Sequence, residues 1–417
     1  MKYPFAVLII FSILFFNRIS AQNVNHTVRN STVNVFVDCN NCDVSFIKEK
    51  IQFVNFVRDR KVADIHVLSN SIATGGKGKL YTLIFIGLRK FKPHKDTLTY
   101  VTTAAETNDS KRSKLVQVLK LGILPFINKT PIAEQLVISY KNKNSKKTNE
   151  EKIDPWDYWV FRTKLRSYFN GEKSSKFLNL NYSFTVSRIT EEWKFQMSFR
   201  GNYNESKFVF DDGTILNVSR RLSSYNYAIK SLSKHWSFGG WIFLTSSTFS
   251  NLDFKISAAP GVEYNIFPYS DFNSKQLRIQ YQIWSKYQNY TEETIYSKMS
   301  EVLFEQTISA TLDLIQPWGS ISTSTSFSTH FHDFSKNSFD LSGHITLKLL
   351  QGLALNIDGG YSAVHDQFSL PKSDASLDDV LLQQRELESQ YNYWGSIGIS
   401  YTFGSIYNNI VNPRFGD

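Results

Sequence analysis

Between Ile321 and His332 the chain alternates without a break. Ile321, Thr323, Thr325, Phe327, Thr329 and Phe331 fall on one side, and Ser322, Ser324, Ser326, Ser328, His330 and His332 on the other. Successive side chains of a strand point to opposite faces, so this segment predicts a strand with one neutral-to-apolar face and one polar face. The pattern returns in most segments from Trp156 to Phe403, with aromatic residues near segment ends. One such strand suits a soluble sandwich equally well. A long series of them, apolar side out and polar side in, predicts a transmembrane β-barrel.

The N-terminal residues fit that destination. Lys2 supplies a short positive region, 5–16 is apolar, and Ile19-Ser20-Ala21 precedes a plausible cut before Gln22. This predicts a secretory signal peptide over 1–21, and no Cys follows the cut to receive a lipid. No later stretch approaches the roughly 20 apolar residues of a membrane helix, so a membrane-embedded mature chain would have to cross as a barrel. The formal net charge is +10, concentrated in part at Lys141, Lys143, Lys146 and Lys147. In an exported chain such a run suits a solvated connector or anionic lipid headgroups, and nucleic acid is not an expected partner.

The chain divides into a periplasmic α/β domain over 22–132, a linker over 133–155, an outer-membrane β-barrel over 156–404 and a periplasmic tail over 405–417. The fold class is therefore α+β, mainly β. In the first domain strands are predicted at 33–37, 63–68, 80–88 and 97–103. A helix capped by Asp43 carries Val44, Ile47, Ile51, Val54 and Val57 at helical spacing, and a second over 110–121 ends near Gly122 and Pro125. A short strand is expected at 135–140. Gly75-Gly76-Lys77-Gly78-Lys79 lacks the spacing and final Ser or Thr of a phosphate loop and reads as a hairpin turn.

Barrel strands are predicted at 158–169, 176–188, 193–204, 214–229, 236–249, 252–266, 276–289, 301–314, 318–332, 338–349, 353–364 and 391–403. Twelve is even, as bacterial barrels require. The fourth and fifth have a phase shift in their alternation. With the first domain in the periplasm, odd connections face outward, and 205–213, 291–300 and 366–390 are the long ones. Even connections are short; two connections break the trend, the fifth being very short for an outward one and 267–275 long for an inner one.

The signal ending Ile19-Ser20-Ala21-Gln22, the run Asp154-Pro155-Trp156-Asp157-Tyr158-Trp159, the closing Tyr401-Thr402-Phe403-Gly404-Ser405 and the tail Asn412-Pro413-Arg414-Phe415 carry a family likeness. The chain resembles outer-membrane β-barrel proteins of the Bacteroidetes type, with an N-terminal periplasmic α/β domain. The resemblance implies location more than activity. It departs from many barrels in that Phe403 closes the last strand while a tail follows.

Cys39 and Cys42, the only cysteines, flank Asn40-Asn41 after a strand and at a helix start. Export favours a structural disulfide over a redox dithiol, and Asp38 and Asp43 would oppose a stabilised thiolate. Inside the barrel Arg162, Lys164, Arg166, Lys194 and Arg200 form a basic wall, and Glu305, Asp313, Asp340 and Asp358 an acidic one. These walls either set up a field across a pore or pair and plug it. His330 and His332 share a face beside Asp333, with His344 on the next strand. A polar lumen explains them without a reaction, and they do not resemble the His and Ser arrangement of outer-membrane phospholipases.

No catalytic residue, metal site or cofactor is expected. The expected role is an envelope scaffold or small-solute pore whose partners are outer-membrane lipid, small solutes and a periplasmic protein. The alternatives are a barrel enzyme using lumen or loop histidines and a soluble secreted β-rich binding protein.

Overall fold

The computed structural model describes residues 32–39, 42–74, 78–128, 130–137, 154–210, 213–272, 274–373 and 390–405. The expected signal segment, residues 75–77 of the Gly-rich turn, most of the linker and the tail after 405 lie outside the described residues.

The N-terminal part folds into β1 (Asn34–Asp38), α1 (Val44–Lys50), β2 (Asn55–Phe56), β3 (Ile65–Ala73), β4 (Lys79–Gly87), β5 (Lys95–Thr102) and α2 (Asn108–Ile127). The strands form one sheet in the order β2-β1-β3-β4-β5. β1 runs parallel to β2 and β3, and β3, β4 and β5 are antiparallel. Val35, Ile65, Val67, Leu83 and Phe85 from the sheet meet Leu115, Leu119, Ile123 and Phe126 from α2 in one buried core. Burying a side chain as large as Phe85 contributes about 1.5–3 kcal/mol. The Thr107 hydroxyl caps α2 by accepting from the Ser110 N–H at 3.2 Å.

Both helix predictions need correction at their ends. α1 stops at Lys50 instead of running on to Val57, because Asn55 and Phe56 leave the helix to pair with β1. Val54 and Val57 keep their burial as parts of that edge, so the apolar spacing was real but the element was not. α2 continues past Gly122 and Pro125. Gly122 is a packing position: a Cβ there would stand 2.0 Å from the Phe85 ring. Pro125 costs the bond that an N–H there would have made to the Leu121 carbonyl, and the burial of Ile123, Phe126 and Ile127 carries the helix on past it. The short strand expected at 135–140 is also revised. Its first residue ends a 3-10 helix, Pro131–Gln135, residues 136–137 are irregular, and 138–140 lie outside the described residues.

The second part is a twelve-stranded antiparallel sheet in which every strand pairs with its sequence neighbours. The strands are β6 (Trp159–Gly171), β7 (Ser175–Ile189), β8 (Trp193–Phe210), β9 (Gly213–Ser231), β10 (Trp236–Ser247), β11 (Leu252–Asn265), β12 (Lys275–Tyr290), β13 (Ser300–Gln316), β14 (Gly319–His330), β15 (Asp333–Leu350), β16 (Leu353–Val364) and β17 (Tyr391–Tyr401). Among the described residues no ladder joins β6 to β17. That seam leaves most residues of both strands exposed on both faces.

Burial across the sheet is inverted relative to a soluble protein. Phe304, Ile308 and Ile397 are 52%, 50% and 75% exposed, while Ser198 and His330 are 1% and 2% exposed. The sheet curls around its polar face and offers its apolar face outward, as a wall facing lipid does. No helix among the described residues is long and apolar enough to cross a membrane. The fold is mainly β, with a small α/β part ahead of a barrel-type antiparallel sheet.

Connections differ from expectation in three places. The long outer connection expected at 205–213 is absent, because β8 runs to Phe210 and β9 begins at Gly213. β15 begins at Asp333, ahead of the expected 338, and β14 ends at His330, so His332 lies in the turn between them. The even connection 266–274 tucks inward. The Tyr269 hydroxyl donates to Glu263 Oε1 at 2.6 Å and lies 3.0 Å from the Ser237 hydroxyl.

Candidate functional site

Strand register shows which side chains share the polar interior. On the clean strands the rows are polar throughout: Ser309 faces Ser326, which faces Asp340, which faces Ser362. Two strands break the rule. On β9 and β10 the register turns Tyr225, Tyr227, Trp241 and Phe243 inward, in line with Ser198 and Gln196 of β8. Tyr225 and Tyr227 make an edge contact with centroids 5.7 Å apart, and Tyr225 meets Phe243 at 6.3 Å. The Trp241 ring lies against the wall where Gly261 has no side chain; a Cβ there would come within 2.9 Å of it. On β10 both faces are largely apolar, while β9 turns Ser224 and Asn226 outward beside Phe199 and Met197, so neither strand alternates cleanly.

The acidic wall is occupied by neighbours in its own half. Lys286 donates to Glu305, and His330 Nε2 lies 3.3 Å from the same Glu305 Oε2. Thr307 donates to the other Glu305 oxygen at 3.3 Å. Asp313 accepts from the Ser322 hydroxyl at 2.7 Å and lies 3.8 Å from Arg278. Asp340 accepts from Ser362 at 2.7 Å, and Asp358 pairs with His344.

His330 is also the point where a strap closes on the wall. Residues 365–373, following β16, fold across the odd-connection end of the sheet. Asp366 Oδ2 comes within 3.8 Å of His330 Nε2, and the Phe368 ring packs on the His330 ring at 4.7 Å. Asn251 donates to the Ser369 carbonyl at 3.0 Å, Ile295 N–H to Leu370 at 2.9 Å, and Lys372 N–H to Glu293 at 2.8 Å. Phe368 and Leu370 are buried as a result. Burial pushes the Asp366 carboxyl up. The His330 hydrogen bond and the Lys286 and His330 charges outweigh it and hold the group below its ordinary value.

Glu305, His330 and Asp366 place their ligand atoms within 4.8 Å of one another, a spacing that a metal ion could bridge. The Lys286 ammonium already bonded to Glu305 opposes a further cation there. Lys286 and His330 instead sit against the Glu305 and Asp366 carboxylates, which suits a buried polar node tying strap to wall.

The basic wall is different. Arg162, Lys164, Arg166 and Arg200 line one open cavity of about 770 Å³. Arg221 of β9 joins them, a residue outside the expected basic wall because the alternation of this strand shifts phase. Asn181, Ser183, Thr185, Ser198, Asn202 and Ser223 supply amide and hydroxyl groups between the cations, and Tyr225 and Phe243 close one end. Among the described residues no acidic residue lines the cavity. Among the described residues none of the five cations makes a side-chain ion pair or hydrogen bond, and no ion pair links the basic wall to the acidic one. Lys194 stands apart from this cavity, its ammonium 5.6 Å from the Tyr227 ring centroid.

At the other end of the sheet the α/β part is seated on the short turns. Asp38 accepts from Lys348, whose ammonium also lies 5.0 Å over the Phe36 ring. Asp59 accepts from the Gly352 N–H at 2.6 Å, and Arg58 donates to the Phe403 carbonyl at 3.3 Å. These bonds fall on β15, the β15–β16 turn and the residues after β17. Cys39 and Cys42, next to Asp38, form a disulfide.

No family model matches the chain, and no curated protein does. Similar solved structures include the NanC porin, at 10% identity and TM-score 0.28, covering 58% of this chain and 100% of that one. A bacterial polysaccharide outer-membrane secretin matches at 9% identity and TM-score 0.28, covering 59% and 91%. The transport unit of the autotransporter AIDA-I from Escherichia coli matches at 13% identity and TM-score 0.24, covering 65% and 95%. The fold assignment stands on the strand ladder and the inverted burial.

Proposed function

We propose that the chain is an outer-membrane protein whose barrel passes small solutes along the basic side of its lumen, with the α/β part in the periplasm. The observation that carries this reading is the division of the interior. On the β12–β16 side the acidic groups are matched by local partners, the strap lies over the odd-connection end and the α/β part is bonded at the turn end. On the β6–β9 side the polar wall keeps a cavity whose cations have no counter-charge among the described residues. A lumen meant only to be filled would be expected to neutralise those charges internally.

Placing the short-turn end in the periplasm agrees with the short inner turns of bacterial barrels, and the disulfide agrees with an oxidising compartment. A closed scaffold is the competing reading, favoured by the strap and the docked domain. Single-channel recording of the purified, folded chain in a planar bilayer separates them. The pore reading expects stable current steps; silence from verified, folded protein would overturn it in favour of the scaffold.

A further inference from the structure

The cations of the basic cavity are arranged in three adjacent rows across the strands. Arg166 leads through Asn181 and Asn202 to Arg221 in one row. In the next, Lys164 leads through Ser183 to Arg200 and Ser223. In the third, Arg162 leads through Thr185 and Ser198 to Tyr225 and then Phe243.

Strand spacing puts the backbones of Arg166 and Arg221 about 14 Å apart along the wall, and those of Lys164 and Arg200 about 10 Å apart. Long side chains rising from a concave wall at those separations can approach a single solute from both flanks. The residues between them carry amides and hydroxyls. The Asn202 amide donates to Asn181 Oδ1 at 2.7 Å and Asn204 donates to Asn202 Oδ1 at 2.6 Å, which fixes that row's side chains without using any of the cations.

Five like charges gathered in one cavity repel one another, and among the described residues no carboxylate lines the cavity to relieve them. A monovalent anion would neutralise one of them. A solute with several anionic groups can engage both flanks at once, and Arg guanidinium groups bind carboxylate or phosphate oxygens in pairs. Tyr225 and Phe243 add an apolar surface at one end, suited to the carbon body of an organic ion and of little use to an inorganic one.

From this juxtaposition we infer that the cavity on β6–β10 is a saturable binding site for organic anions carrying two or more carboxylate or phosphate groups. The inference rests on the lumen reading above and names the solute class. It does not require that the solute pass through.

The test is equilibrium binding to the full, folded chain in detergent, with benzene-1,3,5-tricarboxylate as probe and benzoate as its monovalent counterpart. The expected result is saturable binding of the tricarboxylate at least about tenfold tighter than benzoate, weakening steeply with salt. Arg166→Ser with Arg221→Ser should reduce that affinity about tenfold or more, and Arg166→Lys with Arg221→Lys should fall between the native and Ser values, keeping the charge but losing the paired bonds. Equal affinities for the two probes on the native chain would overturn the inference even if the Ser variant failed to fold. So would full tricarboxylate affinity in a folded Ser variant. Tight, selective binding without bilayer current would leave the site standing and remove the pore; current without selective binding would do the reverse.

Discussion

Asp366, two residues beyond the end of β16, reaches His330 at the end of β14 at 3.8 Å. That contact fastens a strap that would otherwise hang from one strand. His330 is buried and already faces Glu305, so removing the imidazole leaves both carboxylates short of a partner. His330→Ala should therefore weaken the strap by about 1–3 kcal/mol. The measurement is amide exchange over 367–372, which should quicken roughly ten- to hundredfold while the β7–β8 ladder stays protected. Unchanged exchange would mean that the bonds to Asn251 and Ile295 hold the strap without His330.

The same carboxylate determines how the strap responds to acid. The folded value of Asp366 lies below its ordinary 3.8. A depressed value means that the contact stabilises the fold above the unfolded pKa and loses that contribution as pH falls through the folded one. The Asp366 contribution to strap protection should thus be level from about pH 7 to pH 5 and decline only in strongly acidic solution. Asp366→Asn should lower protection near neutrality and remove its share of that acid decline. An identical acid profile in the variant would assign the decline to other groups.

Docking of the α/β part depends on few bonds. Asp59→Ala removes the acceptor for the Gly352 N–H, and Arg58→Ala removes the donor to the Phe403 carbonyl. Together they should cost about 1–3 kcal/mol of docking. Exchange at Gly352 and limited proteolysis of the linker should both rise, with the barrel's heat-modified gel mobility unchanged. Wild-type protection in the double variant would place the main contact at Asp38 and Lys348.

Gly122 tests the packing of the first domain. Ala would gain up to about 1 kcal/mol of helix propensity. Its Cβ would meet the Phe85 ring at 2.0 Å, and overpacking of that kind costs about 1–3 kcal/mol. Gly122→Ala should therefore lower the unfolding temperature of the domain in the full chain, measured by scanning calorimetry. A rise would show that Phe85 moves aside at little cost.

These relationships differ in how far the chain announces them. Strands such as β7, β8 and β14 are legible because one face is apolar and the other polar, and all twelve barrel strands fall where alternation puts them, with shifted ends. β9 and β10 resist reading because Tyr225, Tyr227, Trp241 and Phe243 point inward, so neither face is purely polar. Arg221 was hidden for the same reason. The basic residues of β6 and β8 could be assigned to one face by period alone. Their lack of counter-charges among the described residues could not, since that depends on Glu305, Asp313, Asp340 and Asp358 finding Lys286, Arg278, Ser362 and His344 nearer by. The strap is a contact between residues 36 positions apart in sequence, His330 and Asp366, and no periodic signal marks it.

Among the described residues the lumen divides into a matched acidic side and an unmatched basic side, and ion preference follows from that division. Its most direct test is the reversal potential of the reconstituted protein under a potassium chloride gradient, for the native chain and for Arg162→Ser with Arg166→Ser. Chloride preference is expected in the native protein, with a shift toward zero or potassium preference in the variant. Potassium preference in the native protein, or a reversal potential unmoved by the two substitutions, would contradict it.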